Sequence, residues 1–118
     1  MDLNELLITL LGTTGLPVKQ DEYTGKSDKY IVFVYEDEGP ESHADNIVTA
    51  DTAYIQVQLI TPKKFNYFKL KKEIRDLLEG ADFSVTSIRS FLGDAAIGTE
   101  KTRQTIFHAE YTQGRRNE

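Results

Sequence analysis

The chain has no cysteine among its 118 residues. A disulfide, a thiolate nucleophile and a cysteine-based zinc site are therefore excluded. Histidine is scarce too: His43 and His108 are the only two, far apart in sequence. The opening stretch MDLNELLITLLG has an apolar face but no positive n-region, and its apolar run is far too short to span a bilayer. It reads as a helix of the fold, and no membrane association is expected. Positive charge is in deficit, with 14 Lys and Arg against 19 Asp and Glu and a formal net charge of −5. General affinity for nucleic acid draws on phosphate neutralisation by a basic surface, so no nucleic-acid partner is expected. Internal repeats, low-complexity tracts and a convincing domain boundary are also lacking.

What is present is an ordinary balance, 39% hydrophobic and 28% charged residues. A chain of this length can bury a real core without disulfide or metal staples. We expect one α+β domain over residues 1–114 and a short flexible tail over residues 115–118. Leu3, Leu6, Leu7, Leu10 and Leu11 recur at helical spacing, with Asp2 as N-cap and Gly12 as stop. TTGLPVKQDEYTGKSDK has the composition of a connection. KYIVFVYED then reads as a strand. Ile31, Phe33 and Tyr35 point one way and Tyr30, Val32 and Val34 the other, so neither face suits water.

A half-buried strand follows in TAYIQVQLIT, where Ala53, Ile55, Val57 and Leu59 alternate with Tyr54, Gln56 and Gln58. TPKKFNYFKLKKEIRDLLEG reads as a helix with Thr61 as N-cap, Pro62 in the first turn and Gly80 as stop. Its expected buried face is Tyr67, Leu70, Ile74, Leu77 and Leu78. On its solvent face Lys69 and Glu73, and Lys72 and Asp76, are spaced to pair. DFSVTSIRSF and RQTIFHAEYT read as two more strands joined by LGDAAIGTEKT. The expected order is α-β-β-α-β-β: two helices on one face of a four-stranded, mostly antiparallel sheet. This is a circular permutation of the ferredoxin-like order, which places the second and fourth strands at the centre.

The stretch YEDEGPESHADN is the densest cluster of polar chemistry. Glu41, His43 and Asp45 could ligate a divalent metal, but their spacing matches no metal motif, and a solvated hairpin loop is the default. Nothing apolar surrounds the carboxylates to raise one for acid–base work. His108 is expected to face outward with Ile106 and Glu110, as an ordinary surface histidine, since no nucleophile motif accompanies it. The interleaved aromatics of KKFNYFKLKK read as core and its lysines as solvated. A two-sided apolar strand resists this bland account. Two helices cannot cover both faces of the sheet, and a monomer tolerates only a limited apolar patch. A second protein surface is expected, and the candidate interface is Glu36, Asp37, Glu38, Glu41, Asp45, Tyr54, Gln56, Gln58, Lys69 and Lys72.

The element order, the long acidic hairpin loop, the segment QVQLITPKKFNYFKLKKEIRDLLEG and the closing RQTIFHAEYTQG together resemble the tail terminator (tail completion, head–tail joining) proteins of long-tailed bacteriophages and prophages. The likeness runs from about Asp2 to Gly114 and is most specific in YIQVQLITPKKFNYFKLKKEIRDLL. The resemblance implies a virion assembly protein that closes the tail tube, stops its polymerisation and presents a surface to the head. Its implied partners are copies of itself in a ring, hexameric on the tail, the major tail tube protein and head connector proteins. It implies no catalytic residue and no cofactor, and a location in the virion tail, or in the host cytoplasm during assembly. Two other readings stay open. One is another small head–tail connector or minor capsid component. The other is a ferredoxin-like regulatory or ligand-binding domain, which needs a concave pocket with convergent polar groups.

Overall fold

The leucine stripe of the first segment forms α1 (Leu3–Gly12), which sinks Leu7 and Leu11 fully into the core. In this computed structural model, which describes residues 3–36, 51–97 and 100–113, the chain continues through β1 (Val18–Gln20), β2 (Tyr30–Tyr35), β3 (Asp51–Pro62), α2 (Phe68–Gly80), β4 (Ser84–Ile97) and β5 (Glu100–Gln113). Among the described residues the class is α+β, with two helices and a mixed sheet in the order β1-β2-β3-β5-β4. The sheet has five strands rather than the four expected. The extra one, β1, is three residues long and runs parallel to β2 with Val18 opposite Ile31, while every other pairing is antiparallel.

β1 is held by tight backbone bonds at both ends. Ile31 N–H donates to Pro17 O and Asp21 N–H to Phe33 O, each at 2.9 Å. Asp21 then turns with φ 71°, a left-handed conformation that Asp tolerates. In the following loop the Tyr23 ring lies where a Cβ at Gly25 would sit. The Tyr23 hydroxyl accepts from Ser27 N–H at 2.9 Å, and its ring stacks on Tyr30 with centroids 4.4 Å apart. The expected central strands, β3 and β5, do have neighbours on both sides. β4 and β5 reach much further into the LGDAAIGTEKT stretch than their apolar alternation suggested, with Ala96 opposite Lys101 and Ile97 opposite Glu100.

The expected start of the second helix is corrected. Thr61 and Pro62 are not a helix cap but the end of β3, opposite Arg103 and Thr102 of β5. β2 begins at Tyr30, opposite Ile60, so Pro62 lies where β3 has lost its second neighbour and the missing N–H breaks no ladder there. Thr61 faces inward, buried, with an Oγ1 that has no hydrogen-bond partner. A turn follows, closed by Phe65 N–H to Pro62 O at 3.1 Å. The helix then starts at Phe68, whose N–H donates to Asn66 Oδ1 at 3.2 Å.

The core lies between both helices and one sheet face. Ile31, Phe33, Ile55, Val57, Leu59, Phe107 and Ala109 meet Leu7, Leu11, Ile74 and Leu78 in one cluster. At about 1.5–3 kcal/mol for each large apolar side chain buried, this cluster is the main stabilising element. Leu70 packs against it half-buried, whereas Leu77 is only half-buried beside Lys69 and Lys72, so the inner stripe of α2 is narrower than expected. Among the described residues no helix is long and apolar enough to cross a membrane.

Candidate functional site

Strand alternation builds a second sheet face, which carries no helix among the described residues. Register places four cross-strand rows on it: Tyr30, Ile60, Gln104 and Phe91; Val32, Gln58, Ile106 and Arg89; Val34, Gln56, His108 and Ser87; and Tyr54, Glu110 and Ser84. The first row is mostly apolar, the second is evenly mixed and the last two are mostly polar. Val32 and Ile60 are buried, and Phe91 is 44% exposed.

Glu36 joins the polar end. It stands one residue past β2, its N–H donating to Tyr54 O at 2.7 Å. One carboxylate oxygen, Oε2, lies 2.9 Å from His108 Nδ1 and accepts from Gln56 Nε2 at 3.2 Å. Gln58 Nε2 donates to Gln56 Oε1, and Thr86 Oγ1 donates to the His108 carbonyl at 3.2 Å. His108 and Glu36 are each about one-third exposed, so the cluster is wetted rather than sealed. Its described polar groups are the Glu36 carboxylate, the His108 imidazole, the Gln56 and Gln58 amides, and the hydroxyls of Thr86 and of Ser87, which stands opposite His108. What it can do is hold the root of the 37–50 segment against the sheet and offer amide and carboxylate groups to a partner.

The structure thus joins four of the expected interface residues, Glu36, Tyr54, Gln56 and Gln58. It adds His108, which sequence reasoning left as an ordinary surface residue. The contribution of His108 depends on the pairing of β3 with β5, which no local pattern reveals. Lys69 and Lys72 are not part of this face. They lie on the solvent side of α2, across the sheet, beside Glu73, Asp76 and Leu77. The expected interface is therefore two surfaces. Asp37, Glu38, Glu41 and Asp45, together with the Glu41–His43–Asp45 metal reading, lie outside the described residues. Among the described residues no group of three or more His, Cys, Asp or Glu is placed to hold a metal.

On α2 the expected Lys72–Asp76 pair forms at 2.8 Å, and Arg75 Nη2 reaches Asp76 at 3.5 Å. No ion pair joins Lys69 to Glu73 among the described residues. The Lys72 hydrogen bond holds the Asp76 carboxyl below its ordinary value of 3.8, against a smaller opposing effect of desolvation. A lowered folded-state pKa contributes stability that is complete above the unfolded value and is lost as pH falls through the folded one. Asp76→Asn should therefore differ from the parent in urea stability by its full amount above about pH 4, and by progressively less as pH falls through the lowered folded-state value. The two unfolding curves should converge on acidification. A difference that persists at lower pH would assign the effect to packing instead.

No protein-family model matches the chain, and no curated protein matches it by sequence.

Proposed function

We propose that this chain is a tail terminator: it caps the end of a phage tail tube, stops its polymerisation and forms part of the head–tail joint. The observation that carries the proposal is the sheet face on which no helix lies among the described residues. Half-buried Val34 and Ile106 and exposed Phe91 lie there with Tyr54, Gln56, Gln58 and Glu36, alongside Val32 and Ile60, which are already buried. An apolar band bordered by amides and a carboxylate is the anatomy of a protein interface rather than of a small-molecule pocket. Its breadth suits another protein surface, and the solvent side of α2 supplies a different surface on the far side. A capping ring needs both, one toward the tube and others toward its neighbours and the head. The resemblance in YIQVQLITPKKFNYFKLKKEIRDLL supplies the specific assignment, and the acidic residues Asp37, Glu38, Glu41 and Asp45 follow directly on the Glu36 anchor.

The test is electron microscopy of the protein mixed with purified tail tubes of a long-tailed phage. Capped tube ends and an arrest of further tube growth are expected. Tubes that keep growing, with the protein left unbound, would remove the terminator reading.

A further inference from the structure

The inner face of the sheet ends, past the core, in a row whose charge is not balanced. Register sets Thr61, Arg103 and Leu92 side by side on β3, β5 and β4. Thr61 follows Leu59 by two positions and Arg103 precedes Thr105 by two, so strand alternation keeps the row on the core side. Arg103 is half-buried, and among the described residues no carboxylate pairs with it. Its guanidinium carbon lies 5.0 Å from the centre of the Tyr67 ring. Its Nε is buried without a hydrogen-bond partner, and so is Oγ1 of Thr61 directly opposite.

A guanidinium drawn partly out of water costs free energy unless charge or hydrogen bonds compensate it. Unsatisfied buried polar atoms are uncommon in folded proteins, and two on facing positions mark a place that a ligand completes. The surroundings share the sign of Arg103. Tyr67, whose ring faces it, is the N-cap of α2, which has no side-chain cap there and no acidic residue in its first turn. The positive end of a helix favours an anion. Lys63 and Lys64 stand exposed in the turn just before. Lys29 lies over the Phe65 ring at 4.9 Å, and it alone of these is paired, with Asp28 at 3.3 Å.

We infer that Arg103 anchors a binding site for a phosphate group, free or carried as a monoester. Contact with Tyr67 occupies a face of the guanidinium and leaves its N–H edge for ligand oxygens, the fork geometry in which arginine holds phosphate. The Thr61 hydroxyl is the next donor in the row, and the start of α2 with Lys63 and Lys64 adds positive field. A phosphate monoester fits this arrangement better than a carboxylate, because it brings more charge and more acceptor oxygens to donors that come from several segments. The site is on the opposite side of the sheet from the helix-free face, and the inference does not rest on the tail reading.

Isothermal titration and melting curves at matched ionic strength test this with inorganic phosphate, glycerol phosphate, acetate and a short oligonucleotide whose phosphates are all diesters. Inorganic phosphate and glycerol phosphate should bind the parent with a Kd of about 1 mM or tighter. At about 20 mM phosphate the melting temperature should rise by at least about 3 °C over chloride. Arg103→Met, which keeps an apolar stem, should abolish binding and the rise. Arg103→Lys, which keeps the charge and loses the planar fork, should weaken binding at least about tenfold. Circular dichroism reports folding, and if Arg103→Met does not fold, Arg103→Lys decides. No phosphate-dependent rise in the parent overturns the inference, as does a folded Arg103→Met that binds like the parent. Acetate binding as tightly as phosphate makes this a general anion contact and overturns the phosphate assignment. An oligonucleotide that binds more tightly than either phosphate moves the site to a nucleic-acid backbone and overturns it too.

Discussion

Replacing Phe107 by alanine should lower the free energy of unfolding by about 3–5 kcal/mol, the range seen when a buried aromatic is truncated and its space is only partly refilled. Phe107 is fully buried and stands opposite Val57 on one side and Ile88 on the other, in the middle of the inner face. Both neighbouring strands are hydrogen-bonded to β5, so the backbone cannot move inward to fill the cavity. A domain of this size has roughly 5–15 kcal/mol in total, so the change removes about a fifth of it or more. At about 4 °C per kcal/mol, the melting temperature should fall by about 12–20 °C. Urea denaturation followed by circular dichroism gives the number directly. Phe91→Ala is the contrast, because Phe91 is on the other face and exposed; it should cost less than about 1 kcal/mol in the free protein. Equal losses from the two substitutions would mean that the helix-free face is as tightly packed as the core.

Periodicity made most of this fold legible. The alternation in YIVFVY and TAYIQVQLIT assigned inner and outer faces correctly, because a strand has one rigid period and a slip would expose every apolar residue at once. The leucine stripe did the same for α1. Errors came where a short-range signal competed with pairing. Thr61–Pro62 has the chemistry of a helix start, yet β5 continues past β2 and draws both residues into the sheet. Asn66, whose side chain accepts from Phe68 N–H, was the better local signal and was passed over. β1 was missed because three residues with a single apolar member carry no period; its bonds to Ile31 and Phe33 of β2 are what define it. One member of the candidate site, His108, shared that difficulty. Gln56 and Gln58 were found from alternation within β3, whereas the Glu36–His108 pair joins two distant parts of the chain and emerges only from the register.

That register also makes the terminator proposal testable at chosen points. Gln58 and Ile106 are opposite each other on β3 and β5, in the second row of the helix-free face. The prediction is that Gln58→Lys combined with Ile106→Lys leaves the isolated protein folded but reduces capping of tail tubes at least about tenfold. In the free chain both lysines can extend their ammonium groups into water and lie along the sheet with their methylene stems, so little stability is lost. Under a partner, the same two charges would be like-charged neighbours stripped of water, at an effective cost of several kcal/mol per ion when nothing pairs with them. A face that never meets a partner incurs no such cost. The control is Lys26→Ala, in the exposed stretch before β2 and in neither proposed surface, which should leave tube binding intact. Capping is counted by electron microscopy, with melting curves run on the same samples. If the double-lysine protein caps tubes as well as its parent, the helix-free face is not where the tube sits. If it fails only because it no longer folds, its melting curve will show that. The milder Gln58→Lys alone, which leaves Ile106 in place, then decides: reduced capping by that folded variant keeps the tube on this face, and undiminished capping moves it elsewhere.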